Sequence, residues 1–455
     1  MAAENNLGKD KVSRLVWRIA IPSMLGQFVS VLYSIVDRMY IGNIPEIGDV
    51  ALAGVGVCGP VVTMVGSVAV LVGVGGAPLV SIRMGAGDNG GAARILANCF
   101  VLLTGLAAGL MALALATRRP VLLLFGASEA SLPYAESYYT VYLTGTLFAL
   151  LSTGMNQFII CQGFAKKGML SVLLGAVLNI LLDPVFIFLL KMGVAGAALA
   201  TVLSQLASCV FVLLFLFSRR PPIRITFGGY SARIMGRVLA TGFTPFVIIA
   251  FDNVMIIALN SLLQKYGGAA QGDLLVAAAT IAQSFMLVVT MPLGGITGGT
   301  GAILGYNYGA GQPGRILQAQ KFILLLCLGY TALLFLIGQG APGLFVSIFS
   351  GDGQVARLAV QAIRIYTLGI IPLAVQYTIV DGFTGMGMMQ YSLPLSFFRK
   401  GIYFLPLFLL PIWFGAMAAF VAEPISDFVA PVVSSLVYWR RIRYVVGLKQ
   451  PDRNP

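Results

Sequence analysis

Long runs of apolar residues alternate with short polar connections along most of the chain. A helix rises about 1.5 Å per residue, so about 20 apolar residues are needed to cross a bilayer core of about 30 Å. Twelve runs reach that length, and we expect each to form one transmembrane helix. They lie at residues 15–42, 51–82, 93–116, 133–163, 169–190, 194–218, 233–264, 274–307, 316–338, 357–386, 394–415 and 419–440. The pattern therefore predicts an all-α polytopic membrane protein with twelve transmembrane helices.

The most polar connection, at residues 218–237, divides the segments into two halves that resemble each other. GAG at 85–87 returns at 309–311, and CQGF at 161–164 has a counterpart in VDGF at 380–383. Internal repeats are common in secondary transporters, which bind substrate between the repeats. We predict two pseudo-symmetric six-helix lobes. The predicted boundaries are a cytoplasmic N-terminal tail at 1–14, an N-lobe at 15–218, a cytoplasmic linker at 219–232, a C-lobe at 233–440 and a cytoplasmic C-terminal tail at 441–455.

Charged residues are scarce and follow the alternation of the connections. They make up 10% of the chain, which has a mean hydropathy of +0.91, against about 25% in soluble proteins. Of 29 Lys and Arg residues, 22 fall in the tails and in the connections on the same side, Arg399 and Lys400 included, and 6 on the other side. Positive connections stay in the cytoplasm, so both termini are expected there. The basic excess thus reflects topology, and we expect the lipid bilayer, not nucleic acid, as its partner.

Several kinds of chemistry are excluded by residues that the chain lacks. It has no histidine, which removes Ser-His-Asp triads, HExxH zinc sites and histidine proton relays. It has no G-x-x-x-x-G-K-[ST] motif, so nothing points to direct use of ATP. Its five cysteines lie in apolar segments without metal spacing, where they are expected to pack as buried thiols. We expect a protein without enzymatic activity or cofactor, and if it is a transporter, its energy source is an ion gradient.

Residues 171–190, SVLLGAVLNILLDPVFIFLL, carry two polar side chains that a membrane helix tolerates poorly. Asn179 and Asp183 are four residues apart and share a helix face. Topology brings Asp37, late in the first segment, and Thr201, early in the sixth, to a similar depth. Carboxylate, amide and hydroxyl oxygens suit Na⁺, and two neighbouring carboxylates can instead share a proton. We therefore predict a coupling-cation site for Na⁺ or H⁺ at these four residues.

The second half lacks this set of residues but has acidic residues of its own. Aligning Gly163 with Gly382 places Phe398 and Ile402 opposite the Asn–Asp pair. The repeat therefore does not require a polar pair there, and the asymmetry favours a functional site. Three other polar residues form a candidate C-lobe cation or substrate site, namely Asp252, Tyr377 and Asp381.

Four stretches together resemble the multidrug and toxic compound extrusion (MATE) family, most closely its bacterial multidrug-efflux branch. They are IAIPSMLGQFVSVLYSIVDRMYIG, VSIRMGAGD, LNILLDPVFIF and GVAGAALATVLSQ. The resemblance implies two six-helix lobes around a V-shaped cavity and the export of cationic organic compounds in exchange for Na⁺ or H⁺. It also implies that Asp37, Asn179, Asp183 and Thr201 are the N-lobe cation ligands and that Pro22 is the residue at which the first helix bends.

The resemblance extends to the C-lobe with one departure. Tyr377 and Asp381 resemble a tenth-helix pair used in another branch of the family, but the seventh-helix acid of that branch is a glutamate and matches Asp252 only approximately. We expect a monomeric antiporter of small, amphipathic organic cations in the bacterial inner membrane. The alternative is a lipid-linked oligosaccharide flippase of related architecture, whose usual cationic cavity contrasts with the acidic residues of this chain.

Overall fold

The computed structural model describes residues 5–42, 44–45, 48–124, 131–349 and 353–447. The outer parts of the two predicted tails, at 1–4 and 448–455, lie outside this range. Within it the protein is helical and contains no strand. This confirms the all-α class predicted from the apolar runs.

The described residues of the first half form eight helices. A single π-helical turn, Val185–Leu189, follows the seventh of them. The helices are α1 (Val12–Gly42), α2 (Gly48–Gly85), α3 (Asn89–Ala116), α4 (Arg118–Leu124), α5 (Leu132–Thr144), α6 (Thr146–Ile160), α7 (Ala165–Pro184) and α8 (Gly193–Phe217). Helix α1 continues through Pro22 without interruption.

The second half repeats this order. A continuous helical stretch from Ala232 is interrupted at Gly268, whose φ of 61° is not helical. The helices are α9 (Ala232–Gly268), α10 (Gln271–Gly309), α11 (Pro313–Gly340), α12 (Pro342–Val346), α13 (Gly353–Thr367), α14 (Ile370–Gly385), α15 (Met389–Phe414) and α16 (Ala422–Val445). A short 3₁₀ helix, Ala416–Val421, precedes α16.

Two predicted transmembrane segments are bent helix pairs. In the part of the chain that the structure describes, ten helices are each long and apolar enough to cross a membrane. Helices α5 and α6 meet at 56°, and α13 and α14 meet at 50°. Counting each pair as one span gives twelve, in agreement with the sequence prediction. Gly145 separates the first pair, and Gly369 lies at the bend of the second.

The residues divide into two compact units. One contains Met1–Lys9 and Ile21–Phe246, and the other contains Asp10–Ala20 and Val247–Pro455. Each unit has an apolar core, with Tyr139, Leu143 and Leu122 among the fully buried side chains of the first. All five cysteines are buried free thiols, as predicted.

Close packing within the first unit depends on glycine. A Cβ atom at Gly242 of α9 would lie 1.7 Å from the carbonyl oxygen of Leu71 in α2. A Cβ atom at Gly75 would lie 2.4 Å from the carbonyl oxygen of Val238. The two helix backbones therefore touch at a place where no side chain fits, as is common in membrane helix packing.

Backbone landmarks correct the alignment of the two halves. Gly163 has a positive φ in the turn before α7, and its counterpart before α15 is Gly387, five residues beyond Gly382. The offset of 224 residues between Gly163 and Gly387 also relates Gly145 to Gly369. Asn179 and Asp183 therefore correspond to Tyr403 and Leu407, not to Phe398 and Ile402. The shared GF dipeptide misled the sequence alignment because it does not mark the same point of the two turns.

Arg399 and Lys400 do not lie in a cytoplasmic connection, where the charge count placed them. They are in the interior of α15, and both side chains are largely buried against acidic residues. Without these two, the count of basic residues is 20 against 6.

Candidate cation-binding site

Helix α7 carries the centre of the candidate site. Asn179 is 1% exposed and Asp183 is fully buried. The Asn179 amide nitrogen donates to Asp183 Oδ1 at 3.3 Å and to Thr201 Oγ1 of α8 at 3.3 Å. Thr201 in turn donates to the carbonyl oxygen of Ala197 at 3.1 Å. One amide group thus connects the carboxylate with the hydroxyl, as the predicted depths required.

Asp37 of α1 completes the set. Its carboxyl group is in side-chain hydrogen-bonding contact with that of Asp183. Two carboxylates in hydrogen-bonding contact repel each other unless a proton or a bound cation lies between them. The structure therefore brings all four predicted residues together in the first unit.

Two oxygen atoms of the α7 residues of this site lack a hydrogen-bond donor among the described residues. They are Asn179 Oδ1 and Asp183 Oδ2, and both are buried. A buried oxygen without a donor is costly, so these atoms are free to act as ligands. The oxygen atoms of the site are hard ligands, which suits Na⁺. No group of three or more His, Cys, Asp or Glu in the described part of the chain could hold a metal ion.

The sequence after Asp183 places this carboxylate at the end of regular α-helix. Pro184 has no N–H group, so it leaves a backbone acceptor one turn earlier without its helical partner. The next residues form the π turn, in which the Leu190 N–H bonds to the Val185 carbonyl at 2.8 Å. π turns inside helices often mark functional sites.

Aromatic and amide side chains around the site were not predicted. Tyr33 and Tyr138 interact electrostatically with Asp37. The Tyr142 side chain lies next to that of Gln205, and its ring stacks on that of Tyr138 with centroids 6.1 Å apart. Tyr138 and Tyr142 are four residues apart and therefore share one helix face. This spacing was the signal available in the sequence.

The candidate C-lobe residues have partners within the protein. Thr297 Oγ1 donates to Asp381 Oδ2 at 2.5 Å. Asp252 forms an ion pair with Lys400. Tyr377 interacts electrostatically with both carboxylates. A free cation at Asp252 would have to compete with the Lys400 ammonium group.

The second compact unit contains another buried group of ion pairs, which the sequence analysis did not predict. Arg399 Nη2 lies 2.8 Å from Glu423 Oε1 and 2.8 Å from Asp427 Oδ1. The signal was present, because the two acids are four residues apart near the start of an apolar segment and Arg399 lies within another.

The helical spans and their buried polar sites define a polytopic membrane protein. A model of the MatE family matches residues 22–185 and 245–428. The chain therefore belongs to this family, the MATE transporters.

Similar proteins cover almost the whole chain. An FAD transporter of Shewanella oneidensis is 27% identical over 427 residues, which is 91% of this chain and 92% of the relative. The multidrug export protein MepA of Staphylococcus aureus is 22% identical, and the match covers 97% of each chain. A solved structure of a MOP superfamily transporter from Pyrococcus furiosus superposes with a TM-score of 0.91 at 24% identity and covers 98% of both chains. It supports the fold.

Proposed function

We propose that this protein is a secondary active antiporter that exports amphipathic, mostly cationic organic compounds in exchange for Na⁺ or H⁺. It forms no covalent bond with its substrate, and rocking of two lobes around a central cavity moves the compound across the membrane. The carboxyl contact between Asp37 and Asp183 carries this proposal. A site that holds two acidic groups together is stabilised by a bound proton or cation, and an antiporter uses the release of that ion.

The site suits either coupling ion. A proton would lie between the two carboxyl groups. A sodium ion would use Asp37 and Asp183 together with Asn179 Oδ1 and Thr201 Oγ1, two of whose oxygens lack a donor among the described residues. Binding of either ion removes the repulsion between the carboxylates, and substrate binding would favour its release through differential affinity for the two states.

Membership of the MATE family and the similarity to MepA support multidrug export. The positive-inside bias, at 20 against 6 after correction, supports cytoplasmic termini, and we place the protein as a monomer in the bacterial inner membrane. The charge bias fits a lipid bilayer, not nucleic acid, as the partner of the basic residues, and the buried acidic residues fit small organic cations as substrates.

A second candidate substrate class is an aromatic compound with an acidic group. One observation favours it: an FAD transporter of Shewanella oneidensis is similar to this chain over 91% of the chain.

Transport by proteoliposomes tests these proposals. We expect uptake of a fluorescent dye cation when one ion alone, Na⁺ or H⁺, is more concentrated inside the vesicles than outside. We expect no uptake without a gradient. The double variant Asp37→Asn, Asp183→Asn should lose the gradient response, whereas Asp273→Asn, an exposed acid, should retain it. Transport of flavin nucleotides in the same vesicles tests the second class. Equal transport by wild type and double variant would contradict the proposed coupling.

A further inference from the structure

Two acidic residues and one arginine form a buried cluster in the second unit. Glu423 and Asp427 are one turn apart on α16, and Arg399 lies on α15. Arg399 Nη2 bonds to both acids at 2.8 Å, and its Nε bonds to Asp427 Oδ1 at 3.0 Å. The exposed fractions of the side chains are 12% for Arg399, 15% for Glu423 and 0% for Asp427.

One oxygen of this cluster has no donor. Asp427 Oδ2 is buried, and none of the described residues donates a hydrogen bond to it. Its neighbour is Gly369, where a Cβ atom would lie 3.3 Å from this oxygen. The donor-free oxygen therefore faces the bend between α13 and α14.

The cluster occupies the same place in its half as the candidate cation site does in the other. Gly193 and Gly415, each with positive φ before the last helix of its half, differ by 222 residues. With that offset Thr201 corresponds to Glu423 and Gln205 to Asp427. Around Glu423, Tyr366 is the counterpart of Tyr142 under the 224-residue offset. Where the first unit has neutral polar side chains, the second unit thus has two acids.

The charges of the cluster do not balance. Two carboxylates face one guanidinium, which leaves one excess negative charge in a buried site. Lys400, the next residue on α15, is paired with Asp252. An uncompensated charge is unstable in a low-dielectric interior, and gaining a proton removes it.

The remaining titratable neighbours do not supply the missing charge. Tyr366 of α13, Tyr377 of α14 and Tyr403 of α15 all interact with the cluster. Lys400 interacts with Asp427 electrostatically, but its ammonium group is bonded to Asp252. Phenols are neutral at physiological pH, so the excess charge stays with the two acids.

We propose that the Arg399–Glu423–Asp427 cluster is a second proton-binding site, which holds one exchangeable proton on its two carboxyl groups. The site is separate from the Asp37–Asp183 pair and does not depend on the coupling proposed for that pair. Its proton is exchanged beside Gly369, on the bent span that also carries Tyr377 and Asp381. The charged cluster therefore directly contacts the bend of that span at Gly369.

Infrared spectroscopy of the full-length protein in lipid nanodiscs tests this proposal. The background variant is Asp37→Asn, Asp183→Asn, Asp381→Asn, so that neither the acid pair of the first unit nor the buried Asp381 contributes a band. We expect it to retain a carbonyl stretching band of a buried protonated carboxylic acid that disappears as the pH is raised. Adding Glu423→Gln should abolish the band, because Arg399 and Asp427 then form a balanced pair. Adding Asp273→Asn, an exposed acid, should leave the band unchanged.

Thermal unfolding separates proton binding from a purely structural ion network. In the same background the midpoint should change with pH over the range in which the band titrates, and Glu423→Gln should remove that dependence while the protein stays folded. A structural network predicts the opposite, since Glu423→Gln would then lower the midpoint equally at every pH. Absence of a titrating band in the background variant, or its persistence after Glu423→Gln, would overturn the proposal.

Discussion

Asn179 donates a hydrogen bond to the carboxylate of Asp183, one helical turn further along α7, at 3.3 Å. Its second amide hydrogen goes to Thr201 on α8. These two bonds fix the orientation of the amide group, and its oxygen points to neither Asp183 nor Thr201. A single asparagine thus sets both the orientation of the acid and the direction of a free ligand oxygen.

The variant Asp183→Asn should abolish export. It removes the charge that alternates between bound and released ion, while its size and its bond from Asn179 can be retained. We expect drug resistance to fall to that of cells with the empty vector at unchanged membrane expression. Minimal inhibitory concentrations and immunoblots of membranes check this. The control is Asp273→Asn, and wild-type resistance in Asp183→Asn cells would refute the role of this acid.

Loss of the Thr201 hydroxyl should weaken binding of the driving ion. Thr201→Val removes an acceptor for Asn179 and a candidate ligand, and one such interaction contributes about 1 kcal/mol. The concentration of ion that gives half-maximal transport should rise about fivefold. Thr201→Ser retains the hydroxyl and should behave as wild type. Equal ion dependence in the valine and serine variants would show that the hydroxyl is not involved.

Removing either member of the Lys400–Asp252 pair should have unequal effects. The Lys400 side chain is 6% exposed, but that of Asp252 is 48% exposed. Asp252→Asn leaves a buried ammonium group unpaired, which costs about 3–5 kcal/mol, whereas Lys400→Met leaves unpaired the more exposed partner, the carboxylate. Unfolding midpoints in detergent should fall much further for the first variant. The double variant should recover most of the loss, and additive losses would contradict a direct pair.

The glycine contact between α2 and α9 should tolerate no side chain. Gly242→Ala places a methyl group 1.7 Å from a backbone oxygen, and overpacking of this kind costs about 3 kcal/mol. We expect little folded protein in size-exclusion profiles. Gly236→Ala on the same helix meets no atom within 4 Å and should be neutral or slightly stabilising. Comparable profiles for both variants would show that the helices separate easily.

The fold was largely predictable because lipid imposes a simple rule. Backbone groups in a bilayer must bond within their own segment, so long apolar runs become helices. The Asn179–Asp183 pair was predictable for a similar reason, since its spacing places both residues on one face. The contact between Asp37 and Asp183 was predicted from the topology and from the family resemblance.

The charges of α15 were not assigned correctly because a linear charge count does not show depth. Arg399 and Lys400 lie inside an apolar run, yet basic residues usually mark its ends. Their partners are on other helices, and Asp252 is 148 residues from Lys400. The bends at Gly145 and Gly369 were missed because glycine, with 54 copies, is too common to mark a break.

The burial of every cysteine has a practical consequence for spectroscopy. Cys58, Cys99, Cys161, Cys209 and Cys327 are all shielded inside the protein. Maleimide and spin-label reagents should therefore react slowly with the native thiols. Two cysteines introduced at exposed positions, one in each half, would give a selectively labelled pair without replacing any of the five native cysteines, so that distances can be followed in an otherwise unaltered chain.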